Sequence, residues 1–581
     1  MPRHTAAAAA PALPLALGGS AVAVSALAIV VLAACGVEPR PAGWSGLVDR
    51  FIASHFRANP HVAVDKGRHE YDGLLPDWSA AGLQREIERL RRFRDEALAF
   101  DPGSLDAEQR FERDCFLAVL DGQLFWLDTA AWPQRNPVYY RRGLDPNVYL
   151  SRPYAPLPNR MQSFTRWAQS VPEAAAQIRA NLRTPLPASY IDVGRSMFGG
   201  LAAYLQDGVP AVFAEVADSK LREQYERATA AAVDALRALD AWLAAQRPQA
   251  TGDFALGADL FGEMLRATES VDLPLERLAA INDADLDRNR QALAAACAEF
   301  APGATTLDCI ARAQANKPPE GAVEGARRQL EHLEAFLRRA DLVTIPGPER
   351  ALVDTAPPHR RSNAAYISIP GPYEREMPSV YYIAPPDPAW GAAEQAAYVP
   401  GETGLLFISV HEVWPGHFLQ YLHANRSPST FGRLFVGYAF SEGWAHYSEE
   451  MMLEAGLGGG EPEVRIGQIL NALRHNVRFM SALGLHTGGM TVAEAERLFG
   501  EVAFLDPGNA RQQAARGTYD PAYLNYTLGK LMIRKLRDDW TLDRGGRKAW
   551  RAFHDRLLSY GGPPLPLLRR ALLGDDSGPP L

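Results

Sequence analysis

Between residue 44 and about residue 340, apolar positions recur at three- and four-residue intervals, the mark of amphipathic helices sharing a core. The runs 81–98, 108–128 and Ser219–Gln246 carry the pattern, as does 162–181, where Pro172 predicts a break or kink. Mixed charges from Arg85 to Arg92 surround an apolar stripe and read as a solvated helix face. A Pro- and Tyr-containing stretch, Asn136-Pro137-Val138-Tyr139-Tyr140-Arg141-Arg142, reads as a loop that either packs or lines a cleft. Between about 342 and 403 the pattern changes. Pro and Gly become frequent, and short β-like runs appear at 342–345, 365–369 and Ser379–Ile383. Beyond 403 the helical period returns. Thr491 and Glu494 form a capping-box pattern, and Asp520 before Pro521 reads as a helix start. The prediction is a mainly α protein with a small β ribbon.

At 581 residues the chain has room for two or three average domains or one large helical enzyme. Its net charge of −8 argues against a nucleic-acid partner. Residues 1–34 have the layout of a secretory signal, with Arg3 and His4 before a small-apolar stretch. Pro11, Pro14 and Gly18-Gly19 interrupt that stretch and weaken the alternative of a membrane-spanning helix. Its end, Leu32-Ala33-Ala34-Cys35, resembles the bacterial lipoprotein box. That resemblance implies cleavage before Cys35, a lipid on its thiol, and an exported lipoprotein facing the periplasm or cell surface. A plain signal peptide is the other reading. The organisation expected is a signal at 1–34, a tether at 35–43, a helical half at 44–341 and a metal-binding half at 342–581. Three cysteines remain: Cys297 and Cys309 could bridge in an oxidising compartment, and Cys115 reads as a buried thiol.

Candidate chemistry concentrates in Val410-His411-Glu412-Val413-Trp414-Pro415-Gly416-His417-Phe418-Leu419-Gln420. A His-Glu pair followed by a second His on one helix is a way to build a zinc site with its own general base. The usual second His stands at i+4, but Pro415 occupies that place and His417 comes at i+6. On a regular helix of 3.6 residues per turn, six residues turn about 600°, leaving the two imidazoles roughly 120° apart. They can share a metal only if the helix is distorted between them, and Pro415 and Gly416 are residues that distort helices.

Together with Ser441-Glu442-Gly443-Trp444-Ala445, this stretch resembles the bacterial DUF885 family, whose members resemble the largely helical zinc metallopeptidases. The resemblance is strongest over about 365–540. It implies a helical metallopeptidase-like fold with the β ribbon beside the active-site helix, and a Zn2+ held by His411, His417 and Glu442. Glu442 lies 25 residues beyond His417. Another divalent ion is the alternative to zinc. His446, at i+4 from Glu442, is an alternative ligand or an orienting neighbour, and Glu449, at i+7, could hold a histidine N–H. Glu412 takes the place of the general base. Tyr526 is the first candidate for stabilising the oxyanion, with His486, read in a loop between helices, as the second. Tyr523, Tyr526 and Lys530 fall at i, i+3 and i+7, so Tyr523 joins the possible substrate contacts. Arg474, Arg478 and Arg516 are either carboxylate binders or ordinary ion-pair partners. The reading is a zinc-dependent peptidase acting on peptide or other acyl substrates, tethered to a membrane through Cys35. A non-peptide amide or ester hydrolase and a surface binding protein are the alternatives.

Overall fold

The computed structural model describes residues 43–581, apart from 358–359, 362–363, 375 and 575–576. The signal segment, most of the tether and Cys35 lie outside the described residues.

Helices form where the apolar period runs. The 81–98 run becomes Ala80–Leu98, opened by Ser79, whose hydroxyl accepts from the Gly82 N–H. The 108–128 run becomes Ala107–Leu124 with a π turn at Phe125–Thr129; Asp106 and Gln109 close a capping box at its start. Helix α1 (Leu157–Asn181) continues through Pro172 without the expected break. A mid-helix proline costs about 3 kcal/mol, but Ala168, Val171, Ala174, Ala175 and Ile178 are buried on both sides of it and hold the helix in place. Helix α3 (Ser219–Gln246), capped by Asp218, packs along α1 and α2 (Ala188–Asp207). Helix α4 (Leu275–Phe300) ends near the Cys297–Cys309 disulfide, and Cys115 is a buried free thiol.

A three-stranded sheet follows: β1 (Ala351–Thr355), β2 (Ala365–Ser368) and β3 (Ser379–Ile383), in the order β1-β3-β2. β1 runs parallel to β3, and β2 antiparallel to it. The strand expected at 342–345 does not form. Its backbone groups are taken by side chains: His554 Nδ1 meets the Leu342 carbonyl, His423 Nε2 the Thr344 carbonyl, and Asp555 the Thr344 N–H. The ladder starts instead at Ala351.

The remaining helices build the floor of the site. These are α5 (Glu402–Glu412), α6 (His417–Ala424), α7 (Tyr438–Glu454), α8 (Pro462–Thr487) and α9 (Asn525–Thr541). α7 lies along α9, α4 along α8, and α5 against α7, α8 and β2. The Thr491–Glu494 capping box is present. Asp520 makes no side-chain cap; its carboxylate binds Arg516 and Tyr438, and Pro521–Leu524 is a short 3-10 turn before α9.

Among the described residues, two large hydrophobic cores and two smaller clusters hold these layers together. The larger draws on residues from Phe125 to Leu568 and encloses Phe407, Trp414 and Trp444. The second collects residues from Trp44 to Leu243 and takes Phe431, Leu434 and Leu567 from the other end of the chain. Among the described residues, no helix is long and apolar enough to cross a membrane.

Candidate metal centre

The distortion expected between the two histidines is a complete break. α5 ends at Glu412 and α6 begins at His417, with Trp414-Pro415 in the link. The Gly416 N–H returns to the Val410 carbonyl at 2.9 Å. A side chain at 416 would run into the His411 and Val410 carbonyls, so only glycine fits there. The break starts a new helix axis at His417, which brings its ring within 4.9 Å of the His411 ring, nearly perpendicular to it.

Glu442 comes from α7, which is pressed against α9 where Gly443 meets Gly529. A Cβ on either residue would strike the other helix's backbone. The neighbouring Trp444, fully buried, donates its indole N–H to the Pro415 carbonyl at 2.8 Å and so pins α7 to the link. The Glu-Gly-Trp sequence thus supplies a possible ligand, a close helix contact and a clamp in successive residues.

The result is a convergent donor set. Glu442 Oε2 lies 3.3 Å from His411 Nε2 and 3.2 Å from His417 Nε2, and the three atoms lie within 4.8 Å of one another. The outer nitrogens are already committed. His411 Nδ1 is 2.8 Å from Glu449 Oε1, and His417 Nδ1 is 3.3 Å from the Ser441 hydroxyl, which in turn donates to Gln420 Oε1. With Nδ1–H given to Glu449, His411 turns the lone pair of Nε2 toward a carboxylate oxygen. That contact is favourable only when a proton or a metal cation sits between them. Burial opposes charge on His411, but Glu442 and Glu449 outweigh it and hold its pKa up at about 10. Burial likewise opposes the Glu442 anion, yet His417 and His411 pull its pKa well below the usual carboxylate range. The cluster is built around a positive charge, and two imidazoles with a carboxylate fit a divalent metal such as zinc.

Glu412 lies beside the candidate ligands. Its pKa is raised by burial against the opposing pull of His417 and His411, with a smaller contribution from the Ile367 backbone of β2. The Ala384 N–H bonds the Ala364 carbonyl, so the alternation of an antiparallel ladder turns the backbone groups of Ala365 and Ile367 away from β3. That open edge of β2 faces a cleft of about 390 Å³ lined by His411, Glu412, His417, Glu442 and Tyr526.

Tyr526 stands at the start of α9. Its ring stacks on His475 with centroids 4.6 Å apart, and the Arg478 guanidinium lies 4.4 Å from its centroid. Its hydroxyl oxygen accepts from Arg516 at 3.3 Å, which leaves the O–H hydrogen to point elsewhere.

The other predicted residues lie outside the cleft lining. His446 is fully buried behind Glu449, 3.5 Å from its Oε2, and neither of its ring nitrogens forms a hydrogen bond. His486 sits in the last turn of α8 rather than in a loop, held by the Gly517 carbonyl at 2.7 Å. Tyr523 is fully buried in the 3-10 turn. Arg478 binds Gln513 and His475, and Arg516 binds Asp520 and Tyr438. Burial, with Arg478 adding to it, lowers the Arg474 pKa to about 10.

Four residues at the site carry no assignment from sequence: Ser441, Gln420, Trp444 and His475. The first three stand inside the two motifs, next to the residues they support; His475 has no sequence signal. A second grouping, His411, Glu449 and His475, is wholly buried; Glu449 accepts there from the His411 N–H, and His475 Nε2 stands 3.8 Å from the same oxygen.

No curated protein matches the chain. Among solved structures, a candidate lipoprotein of unknown function from Shewanella oneidensis is 23% identical with a TM-score of 0.75, covering 92% of this chain and 100% of its own. A candidate lipoprotein from Colwellia psychrerythraea is 18% identical with a TM-score of 0.76, covering 91% and 98%. These two share the fold. An M32 carboxypeptidase from Deinococcus radiodurans R1 aligns at 14% identity over 86% of this chain and 96% of its own, but its TM-score of 0.34 is too low to bear on activity. The model of the bacterial protein of unknown function DUF885 matches residues 60–572, and the chain belongs to that family.

Proposed function

We propose that the protein is a zinc-dependent hydrolase that cleaves peptide bonds, held at a membrane through a lipid on Cys35. The observation that carries the reading is the convergence of His411 Nε2, His417 Nε2 and Glu442 Oε2 beside Glu412, on a cleft bordered by an open strand edge. A divalent cation bound by the three ligands would supply Lewis acidity that makes water a nucleophile at neutral pH.

The chain's own groups do the rest. Glu412 takes the proton from the attacking water and delivers it to the leaving amine nitrogen. It lines the same cleft as Ala365 and Ile367, at the open edge of β2. An extended peptide added to that edge would pass directly in front of it. The Tyr526 hydroxyl, its oxygen already engaged by Arg516, donates to the carbonyl oxygen as negative charge develops there. Glu449 and Ser441 fix the tautomers and ring orientations of the two histidines. A lipid anchor is in keeping with the candidate lipoproteins that share the fold.

Metal content and cleavage of a peptide library, measured for the wild type and Glu412→Gln together, test this. Zinc in both with cleavage only in the wild type is expected. Zinc in both with cleavage in neither would transfer the site to a non-peptide substrate or a binding role. Failure of both proteins to take up offered zinc would refute the reading.

A further inference from the structure

We propose that Lys66 and Arg142 form a carboxylate-binding subsite of the cleft, which takes the free C-terminus of a peptide one or two residues beyond the bond to be cut. The proposal rests on the hydrolase reading for its substrate class, and on the charge balance of the cleft for its location.

Apart from the histidines and the metal-site glutamates, the cleft lining carries four cations and two acids: Lys66, Arg142, Arg152 and Arg360 against Asp65 and Asp145. Arg152 is bound by Asp65 at 3.2 Å and Glu374 at 2.9 Å, and Arg360 by Asp145 at 2.7 Å. Lys66 and Arg142 form no hydrogen bond or ion pair through their side chains among the described residues. Two cations without a hydrogen-bonded or ion-pair partner in the cleft lining form a seat for an anion.

Their position sets which anion. Lys66 caps the helix Pro60–Asp65, and its carbonyl accepts the Tyr373 N–H at 3.1 Å, tying it to the segment that leaves β2. Its Nζ lies 6.0 Å from the Tyr421 ring centroid. Tyr421 follows His417 by one turn of α6, on the same face. Lys66 therefore lies one tyrosine ring beyond the ligands, on the order of 10 Å away along the helix face, and Arg142 lines the same cleft. An extended peptide advances about 3.3–3.6 Å per residue, so a carboxylate one or two residues past the scissile bond meets the lysine's reach. Lys66, Arg142 and Tyr421 also line a neighbouring cavity of about 1450 Å³, so the pair marks the junction where the bound chain would end. Burial lowers the Lys66 pKa against the pull of Asp65, with Arg142 and Arg152 adding to the lowering.

The test uses the full chain loaded with zinc and matched peptides ending in a free carboxylate or a carboxamide. The wild type should prefer the free acid by about tenfold or more, the size expected of a charge-assisted contact. Lys66→Met and Arg142→Met should each cut kcat/KM for the acid, through KM, and leave the amide unchanged; the double variant should erase the preference. Equal cleavage of acid and amide, unmoved by the double variant, overturns the subsite while the hydrolase stands. Dependence confined to amides bearing Asp or Glu assigns the carboxylate to a side chain and overturns the C-terminal form. Calorimetric titration of Glu412→Gln with glycyl-leucine and its amide gives a readout without turnover. Acid-selective binding lost in Lys66→Met would uphold the subsite even if no peptide were ever cleaved, whereas equal binding of both would overturn it.

Discussion

Glu449 is a residue through which the proposed metal centre can be weakened without touching a candidate ligand. It is 1% exposed, and its Oε1 lies 2.8 Å from Nδ1 of His411, which is itself buried at 9% exposure. A hydrogen bond between charged or polarised partners is worth about 1.5–3 kcal/mol. Part of that value is the fixing of the tautomer that leaves Nε2 free for a cation. Glu449→Gln keeps an acceptor oxygen but loses the charge, so zinc affinity should fall about tenfold, or about 1.4 kcal/mol. Glu449→Ala leaves the imidazole N–H unpaired in the core, and the loss should approach a hundredfold, about 2.7 kcal/mol. Ser441→Ala removes a longer, 3.3 Å contact at His417 that involves no carboxylate, and should cost only a few-fold. Competition with a chromophoric chelator at fixed pH reads all three, with circular dichroism to show that each variant is folded. Zinc affinity within twofold of wild type in folded Glu449→Ala would refute the idea that this carboxylate organises the centre.

Tyr526→Phe removes the only atom of that ring assigned to chemistry while keeping its stacking on His475. It should lower kcat about 10²–10³-fold with zinc content unchanged, and an undiminished kcat would reject the oxyanion role. Away from the cleft lining, His69 binds Asp72 at 2.9 Å and Glu374 at 3.0 Å. Burial lowers its pKa, but these two carboxylates outweigh it and raise the value from 6.5 to about 9. A raised folded-state pKa means its stabilisation is complete below pH 6.5 and is lost as pH rises toward 9. The gap in urea midpoint between wild type and His69→Gln should therefore close over that window; a gap independent of pH would show that the ion pairs contribute nothing.

Much of this protein is written locally. A helix or a capping box is decided within a few residues, so the 3.6-residue period places α3 to the residue and the Thr491–Glu494 box is legible in the bare sequence. The candidate ligands are legible for a similar reason: His411, Glu412 and His417 are close in sequence, and Glu442 stands in a distinctive Glu-Gly-Trp setting. Three things are decided only in space. Whether 342–345 or Ala351–Thr355 joins the sheet depends on His423, His554 and Asp555, which compete for the backbone of the first run from distant helices. The division of labour between Glu449 and His446, one helical turn apart, is settled by which of them faces His411 across the α5–α7 contact. Lys66 and Arg142 become neighbours of the site because the N-terminal helices fold back over α6, more than 250 residues later in the chain. Local periodicity and capping act through backbone geometry and are carried by the sequence itself; charge balance, tautomers and clefts arise between segments that meet only after the chain has packed.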